Sequence, residues 1–251
     1  MDERVAIVTG AGSGIGESTA RHLAQRGLVV ALVGRRRERL DDVAAGIAEA
    51  GGRAFSVPAD LAAPEAPREI VEHVLAERAR VDVIVNNAAS FQLKTVEAFT
   101  LHDFDDHVAV NVRAAYFLVQ AALPALRSSP AAVVVNVSSA AAAMYRRGQT
   151  VYGLTKAALE HMTMNMAAEL APDRVRVVCV RPGPVATELH AAVADPEARL
   201  RELGTLVPLG RVGQPDEIAR WIGHLADPDA EWVTGTVLTI DGGRILGPPG
   251  A

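Results

Sequence analysis

The sequence predicts an α/β fold, a single Rossmann-type doubly wound parallel sheet of about seven strands with helices on both faces. Three observations carry this. Short β-branched runs alternate with longer helical stretches along nearly the whole chain, the pattern of repeated βαβ units. The strand runs are continuously apolar, as parallel strands buried on both faces are. A glycine-rich turn joins the first strand to the first helix, and such sheets bind ligands at the carboxyl ends of their strands.

Taken in order, the first strand is Val5–Thr9 and the first helix Ile15–Arg26, stopped by Gly27. Leu28–Val33 reads as the second strand and Glu38–Ala50 as its helix, stopped by Gly51. Strands at Ala54–Val57 and Val81–Val85 bracket a helix at Ala66–Arg78. A long helix, Asp103–Leu126, precedes strand Ala132–Val137, and helix Gln149–Leu170 precedes strand Arg176–Val180. The stretch Glu188–Leu209 is helical in composition but broken by Pro196 and Gly204, which reads as a mobile lid. Helix Pro215–Leu225 and strand Thr236–Ile240 complete the alternation. No linker or repeat divides the chain, so residues 1–251 read as one domain.

Composition narrows the function. Hydrophobic residues make up 49% of 251, enough for a sizeable core and against disorder. A net charge of −5 carries no general nucleic-acid footprint. Apolar runs fall short of the ~20 residues of a membrane helix, and the strand-like run directly after Met1-Asp2-Glu3-Arg4 leaves no room for a signal peptide. A cytoplasmic location is the expectation. Cys179, the one cysteine, excludes an intramolecular disulfide and a multi-cysteine metal site, and reads as core. Of 25 basic residues only Lys94 and Lys156 are lysine.

The first strand runs into Thr9-Gly10-Ala11-Gly12-Ser13-Gly14-Ile15-Gly16. Glycines let backbone turn tightly and approach a pyrophosphate, which then sits at a positive helix N-terminus. The spacing is T-G-x-x-x-G-x-G, not the general G-x-G-x-x-G, and no Lys-Ser/Thr pair follows to make a nucleoside-triphosphate loop. Its place between strand and helix points to a dinucleotide. At the end of the second strand an Asp or Glu normally accepts the ribose hydroxyls of NAD. Here Gly34 is followed by Arg35, Arg36 and Arg37, so three guanidiniums stand where a 2′-phosphate projects, which predicts NADP over NAD.

Tyr152 and Lys156 lie four residues apart in a helical stretch and share one face. A phenol of pKa ~10 is a poor proton carrier at neutral pH, and a nearby ammonium is expected to lower that pKa and make the pair a proton relay. With so few tyrosines and lysines, chance supplies such a pair at a rate of about 0.02 per chain of this composition.

With these residues in place, the chain resembles the classical short-chain dehydrogenase/reductase family from about Arg4 to Gly243. The resemblance rests on Thr9–Gly16, Asp60-Leu61, Asn86-Asn87-Ala88, Asn111, Asn136-Val137-Ser138-Ser139, the Tyr152/Lys156 pair, Pro182-Gly183 with Thr187, Gly210–Pro215 and Asp241-Gly242-Gly243. It implies catalytic Asn111, Ser139, Tyr152 and Lys156. Tyr152 is then the acid/base, Ser139 the partner of the substrate oxygen, Lys156 the holder of the ribose, and Asn111 the support of a water relay. It implies a cofactor site of Gly10, Ser13, Gly14, Ile15, Gly16, Arg35, Arg36, Asp60, Leu61, Asn87, Ala88, Tyr152, Lys156, Pro182, Gly183, Val185 and Thr187. The implied activity is hydride transfer between NADP(H) and a secondary alcohol/ketone or aldehyde. The alternatives are a non-catalytic NADP(H)-binding sensor or scaffold, a 3-oxoacyl thioester reductase, and dehydration or epimerisation chemistry. The family also implies a homotetramer or homodimer packed through Asp103–Leu126 and Gln149–Leu170. The sequence departs from the family pattern at Ala89, Ala114, Leu154 and Val178.

Expected pocket walls at Ser90–Leu93, Ala140–Tyr145 and Pro184–Leu206 are mostly apolar, favouring a moderately hydrophobic carbonyl compound. Arg146 and Arg147 stand where an anionic substrate would meet them, a placement that surface solubility explains equally well. His102-Asp103-Phe104-Asp105-Asp106-His107 resembles a ligand cluster but reads as a solvated helix start, since residues five apart do not share a helix face. No metal is expected. Ser139 lacks the Gly-x-Ser-x-Gly setting of a hydrolase nucleophile.

Overall fold

The structure, a computed structural model, describes residues 3–188 and 195–247. Seven strands form one parallel sheet: β1 (Val5–Thr9), β2 (Val29–Gly34), β3 (Arg53–Pro58), β4 (Val83–Asn86), β5 (Val133–Val137), β6 (Arg176–Pro182) and β7 (Val237–Ile240), in the spatial order β3-β2-β1-β4-β5-β6-β7. The strand order reverses between β1 and β4, and a crevice opens at the carboxyl ends of strands where this happens.

The alternation of side chains along each strand makes two cores. From β1, Val5 and Ile7 face α3 (Ala66–Arg78), α5 (Ala114–Ser128) and α6 (Thr150–Leu170), through Ile70, Leu118, Ala122 and Met166. Ala6 and Val8 face α1 (Gly14–Gln25), α2 (Arg37–Glu49) and α8 (Pro215–Leu225), through Leu23, Leu40, Ile47 and Ile222. Strands β1, β4 and β5 are buried throughout, as their apolar runs imply. The edge strands depart from that expectation: β7 is only half-buried and β3 buries Val57 alone, because each has one neighbour in the sheet. Gly27 and Gly51 end their helices with φ of 85° and 80°, the left-handed conformation that glycine adopts without strain.

The helix expected over Asp103–Leu126 is longer and interrupted. It comprises α4 (Leu101–Val108), a π turn at Ala109–Arg113, and α5. Together, Leu101–Ser128 is long and apolar enough by composition to cross a membrane, contrary to the reading of the sequence. Its inner face nonetheless packs in the first core through Ala114, Leu118, Val119, Ala122 and Leu126. Within the stretch read as a lid, Pro196 and Gly204 do not break a helix. Pro196 starts α7 (Pro196–Thr205), capped by the Asp195 side chain on Ala198 N–H, and Gly204 lies buried in its last turn. Residues 189–194 of that stretch lie outside the described residues.

The His102–His107 segment is less solvated than expected. Asp103 is buried, closes a capping box with Thr100 and pairs with Lys94 at 2.7 Å, which holds its carboxyl below the ordinary range. His107 is fully buried, its Nδ1–H donating to the Asp103 carbonyl at 2.7 Å.

Candidate active site

One cleft of about 660 Å³ runs across the switch point, from Gly10 and Arg35 at one end to Tyr152 and Arg244 at the other. The nucleotide end is built mainly of backbone. Gly10 has φ +66°, and a Cβ there would press on Asn87 and Ala88. A Cβ on Gly16 would overlap the Gly10 carbonyl oxygen, so the turn closes only with glycine at both positions. Thr9 and Asn87 fasten this turn to the end of β4. The Thr9 hydroxyl accepts from Asn87 N–H and Ala88 N–H, both at 3.0 Å, while Asn87 Nδ2 donates to the Thr9 carbonyl at 2.9 Å. What remains open above the glycines is a cradle that suits a pyrophosphate on the N-terminus of α1, with Ser13 as its N-cap residue.

Around this cradle the structure gathers Gly10, Ser13, Gly14, Ile15, Arg35, Arg36, Asp60, Leu61, Asn87, Ala88, Pro182, Gly183, Val185 and Thr187, all lining the cleft. Gly16 lies beneath the turn rather than on its surface. The arginines are not equivalent. Arg36 donates to Glu188 at 3.1 Å, Arg39 lies 3.7 Å from the same carboxylate, and Arg36 first of all holds the Glu188 carboxyl below its ordinary pKa. Arg35 lines the cleft with no carboxylate bridged to it among the described residues. Glu188 and Arg39 were not singled out in the sequence. Glu188 meets Arg36 and Arg39 from a segment about 150 positions away, which no local pattern reveals.

At the other end Ser139, Tyr152 and Lys156 come together. Ser139 follows β5, and its Oγ accepts from Ala141 N–H at 3.2 Å. Tyr152 and Lys156 stand one turn apart on α6, the ammonium 5.8 Å from the phenol ring centroid. Phe91 meets the Tyr152 ring edge-on at 4.9 Å and fixes its plane. Lys156 is fully buried and donates to the Val137 carbonyl at 2.8 Å. Burial lowers its pKa to about 8, with Cys179 and Glu160 opposing.

The expected depression of the Tyr152 phenol by Lys156 is not what these side chains produce. Burial pushes the phenol up to about 12, and the group that pulls it back is Ser139. The physical reason is desolvation: removing water disfavours phenolate and ammonium alike, raising one pKa and lowering the other.

Asn111 sits apart. Its Nδ2 donates to the Ser90 carbonyl and to Thr155 Oγ1, both at 3.0 Å, and its Oδ1 accepts from Ser90 N–H at 2.7 Å. The amide is thereby engaged in tying the Ser90 loop to α6, and the side chain does not line the main cleft.

The sequence reading missed Glu160 and Arg181. Glu160, one turn beyond Lys156, accepts from Ser138 Oγ at 2.7 Å and from Arg181 Nε and Nη2 at 2.7 and 2.6 Å. This bidentate, largely buried pair locks β6 to the helix face that carries Lys156. The +4 spacing from Lys156 was the available signal, but Arg181 is distant in sequence. Of the departures from the family pattern, Ala89 lines the cleft, Ala114 and Val178 are buried in the core, and Leu154 is half-exposed on the outer face of α6.

Comparison with known proteins agrees with this geometry. A family model described as "Enoyl-(Acyl carrier protein) reductase" matches residues 10–244. The 7alpha-hydroxysteroid dehydrogenase of Escherichia coli is 31% identical, over 98% of this chain and 95% of its own length. A short-chain dehydrogenase/reductase from Serratia marcescens superposes with a TM-score of 0.90 at 33% identity, covering 96% of this chain and 98% of that one. A blue fluorescent protein from a metagenomic library, solved in complex with NADPH, gives a TM-score of 0.89 at 32% identity over 96% of this chain and 97% of its own.

Proposed function

The chain belongs to the short-chain dehydrogenase/reductase family of oxidoreductases, and from that premise we propose that it transfers a hydride between NADP(H) and a secondary alcohol/ketone or aldehyde, with Tyr152 as the acid/base. The observation that carries this reading is the continuity of the cleft, which joins a glycine cradle flanked by Arg35 to a buried Tyr152 held between Ser139 and Lys156.

The dinucleotide would be held by the glycine turn, by Asn87 and Ala88, by Asp60 and Leu61 beside the adenine end, and by Pro182, Gly183, Val185 and Thr187. When bound, a nicotinamide supplies the hydride chemistry, while the protein supplies orientation and the proton path. Arg35 gives a charge-assisted, bidentate partner for a 2′-phosphate, with Arg36 beside it. Gly34 puts no carboxylate at the end of β2, and the nearby Glu188 carboxylate is taken up by Arg36 and Arg39. That a protein of similar structure was solved with NADPH supports this choice.

Tyr152 acts on the substrate oxygen. At neutral pH the phenol, with a pKa near 12, holds its proton and can donate it, which is the form a carbonyl reduction needs. Ser139 offers a second hydrogen bond to the same oxygen. Lys156 carries its charge below about pH 8 and would hold the ribose beside the phenol, while Ser139 is the group that favours the phenolate as the proton leaves. Asn111 serves from behind, holding the Ser90 loop against the helix that carries the pair.

A symmetric assembly belongs to the same reading. The outer faces of Leu101–Ser128 and α6 expose Tyr116, Phe117, Leu154 and Met164, and β7 is half-buried, surfaces that a second copy would cover in a homotetramer or homodimer.

The test is Tyr152→Phe. It keeps the ring packed on Phe91 and should bind NADPH as the native protein does, yet lose at least about 100-fold in turnover, the range of a lost general acid. Near-native turnover in the folded variant contradicts the assignment.

A further inference from the structure

Two guanidiniums from segments far apart in sequence line the substrate end of the cleft, and a third stands near one of them. Arg146 comes from the loop before α6, Arg199 from α7, and Arg244 from the turn after β7. Arg146 and Arg244 line the same cleft as Tyr152, with Gln149 beside them. Burial is the main influence lowering the Arg146 pKa, repulsion from Arg199 and Arg244 adds to it, and Glu202 opposes.

The acids nearby are engaged elsewhere. Glu202 takes a hydrogen bond from Arg199 at 2.5 Å. Glu188 holds Arg36, and Asp106 accepts from Ser90 Oγ at 2.5 Å. Both Asp241 oxygens accept backbone N–H groups, from Gly243 and Ile245, at 2.8 Å. Among the described residues no carboxylate lies within ion-pairing distance of Arg146 or Arg244. The other walls at this end, Phe91, Met144, Leu203 and Leu206, are apolar. Glu202 answers Arg199 and only partly offsets the repulsion on Arg146. Half-buried like charges without an ion-pair partner raise the free energy of the folded state, and an anion seated between Arg146 and Arg244 relieves it. Two planar guanidiniums and a carboxamide match the geometry of a carboxylate.

We propose that the substrate combines a carbonyl, an apolar body and a carboxylate, and that Arg146 and Arg244, with Gln149, hold that carboxylate. This deepens the oxidoreductase reading above and rests on it. The role is specificity, not chemistry: the arginines choose which carbonyl compound presents its oxygen to Tyr152.

The test uses the protein saturated with NADPH and unreactive probes, octanoate and decanoate against octanamide and decanamide, by isothermal titration calorimetry. Each carboxylate should bind at least about tenfold tighter than its amide, the effect of one good charge-assisted hydrogen bond. That advantage should shrink with added salt and vanish in Arg146→Gln/Arg244→Gln, whose melting temperature stays native or rises because repulsion is relieved. Equal binding of acid and amide, binding of neither, or an advantage that survives in the double variant overturns the proposal. NADPH binding is titrated separately. If it is normal while the carboxylate preference is missing, only this inference fails; if NADPH does not bind, the oxidoreductase reading fails and takes this one with it.

Discussion

Both ends of the cleft carry arginine, and they differ in how its charge is answered. At the nucleotide end Arg36 and Arg39 share the Glu188 carboxylate, and the surface they flank is backbone, shaped by Gly10 and Gly12 after β1 and by Gly14 and Gly16 in the first turn of α1. At the substrate end Arg146 and Arg244 have no carboxylate partner among the described residues, and the surface is side chain, supplied by three separate segments. In the proposed reading the first end is a backbone shape that would recognise a common group, and the second a set of side chains whose charge a ligand would answer. Outside the cleft lining stands a strut, the Glu160–Arg181 pair, which fixes the Lys156 face of α6 to β6.

That strut gives the largest expected effect. Glu160→Gln leaves Arg181 without its carboxylate in a largely buried place. Losing one partner of a buried pair costs about 3–5 kcal/mol, and residual solvent access at this pair brings the figure toward about 2–3 kcal/mol. Thermal denaturation should show a loss of several degrees or more. The same variant reports on Lys156. Glu160 supports the charged ammonium, so neutralising it should move the Lys156 titration below its position near pH 8. With Lys94 the only other lysine, NMR of lysine-labelled protein reads this directly. An unmoved Lys156 titration would mean that the strut is purely mechanical. The stability linkage has a fixed sign: a folded-state pKa of about 8 against an ordinary 10.5 means that the unfolded chain holds the proton more tightly, so this group adds stability as pH rises through that interval.

A smaller effect is expected from Gly16→Ala, which attacks the nucleotide end alone. A Cβ that overlaps the Gly10 carbonyl forces the turn apart. Overpacking of this kind costs about 1–3 kcal/mol, or roughly tenfold to hundredfold in cofactor affinity. The octanoate preference should survive it. If cofactor affinity is unchanged in the folded variant, the cradle is not where the dinucleotide lies.

The contrast between the two ends also explains what was legible in the sequence. The glycine turn could be read because its chemistry is local: one short stretch, between a strand and a helix, dictates its own conformation. The Tyr152/Lys156 pair could be read for the same reason, since helical periodicity alone places the two together. The seven strands emerged from their apolar runs, with errors at the edges β3 and β7, where burial depends on a neighbour that a run of residues cannot announce. The Glu188 bridge, the Glu160–Arg181 pair and the Arg146–Arg244 gathering were hidden because each joins distant segments. The direction of the Tyr152 shift was hidden too, because it depends on burial more than on spacing.

The proposal that one cleft reads NADP at one end and reduces or oxidises a substrate at the other is tested most directly by the cofactor ratio. The measurement is kcat/KM for NADPH and for NADH, in the native protein and in Arg35→Ala. A charge-assisted contact to the 2′-phosphate contributes about 1.5–3 kcal/mol, and about 1.4 kcal/mol is tenfold. The native protein should therefore prefer NADPH by roughly tenfold to hundredfold, and Arg35→Ala should remove that preference while leaving NADH nearly untouched. Equal values for the two cofactors in the native protein, or equal losses for both in the variant, would contradict it.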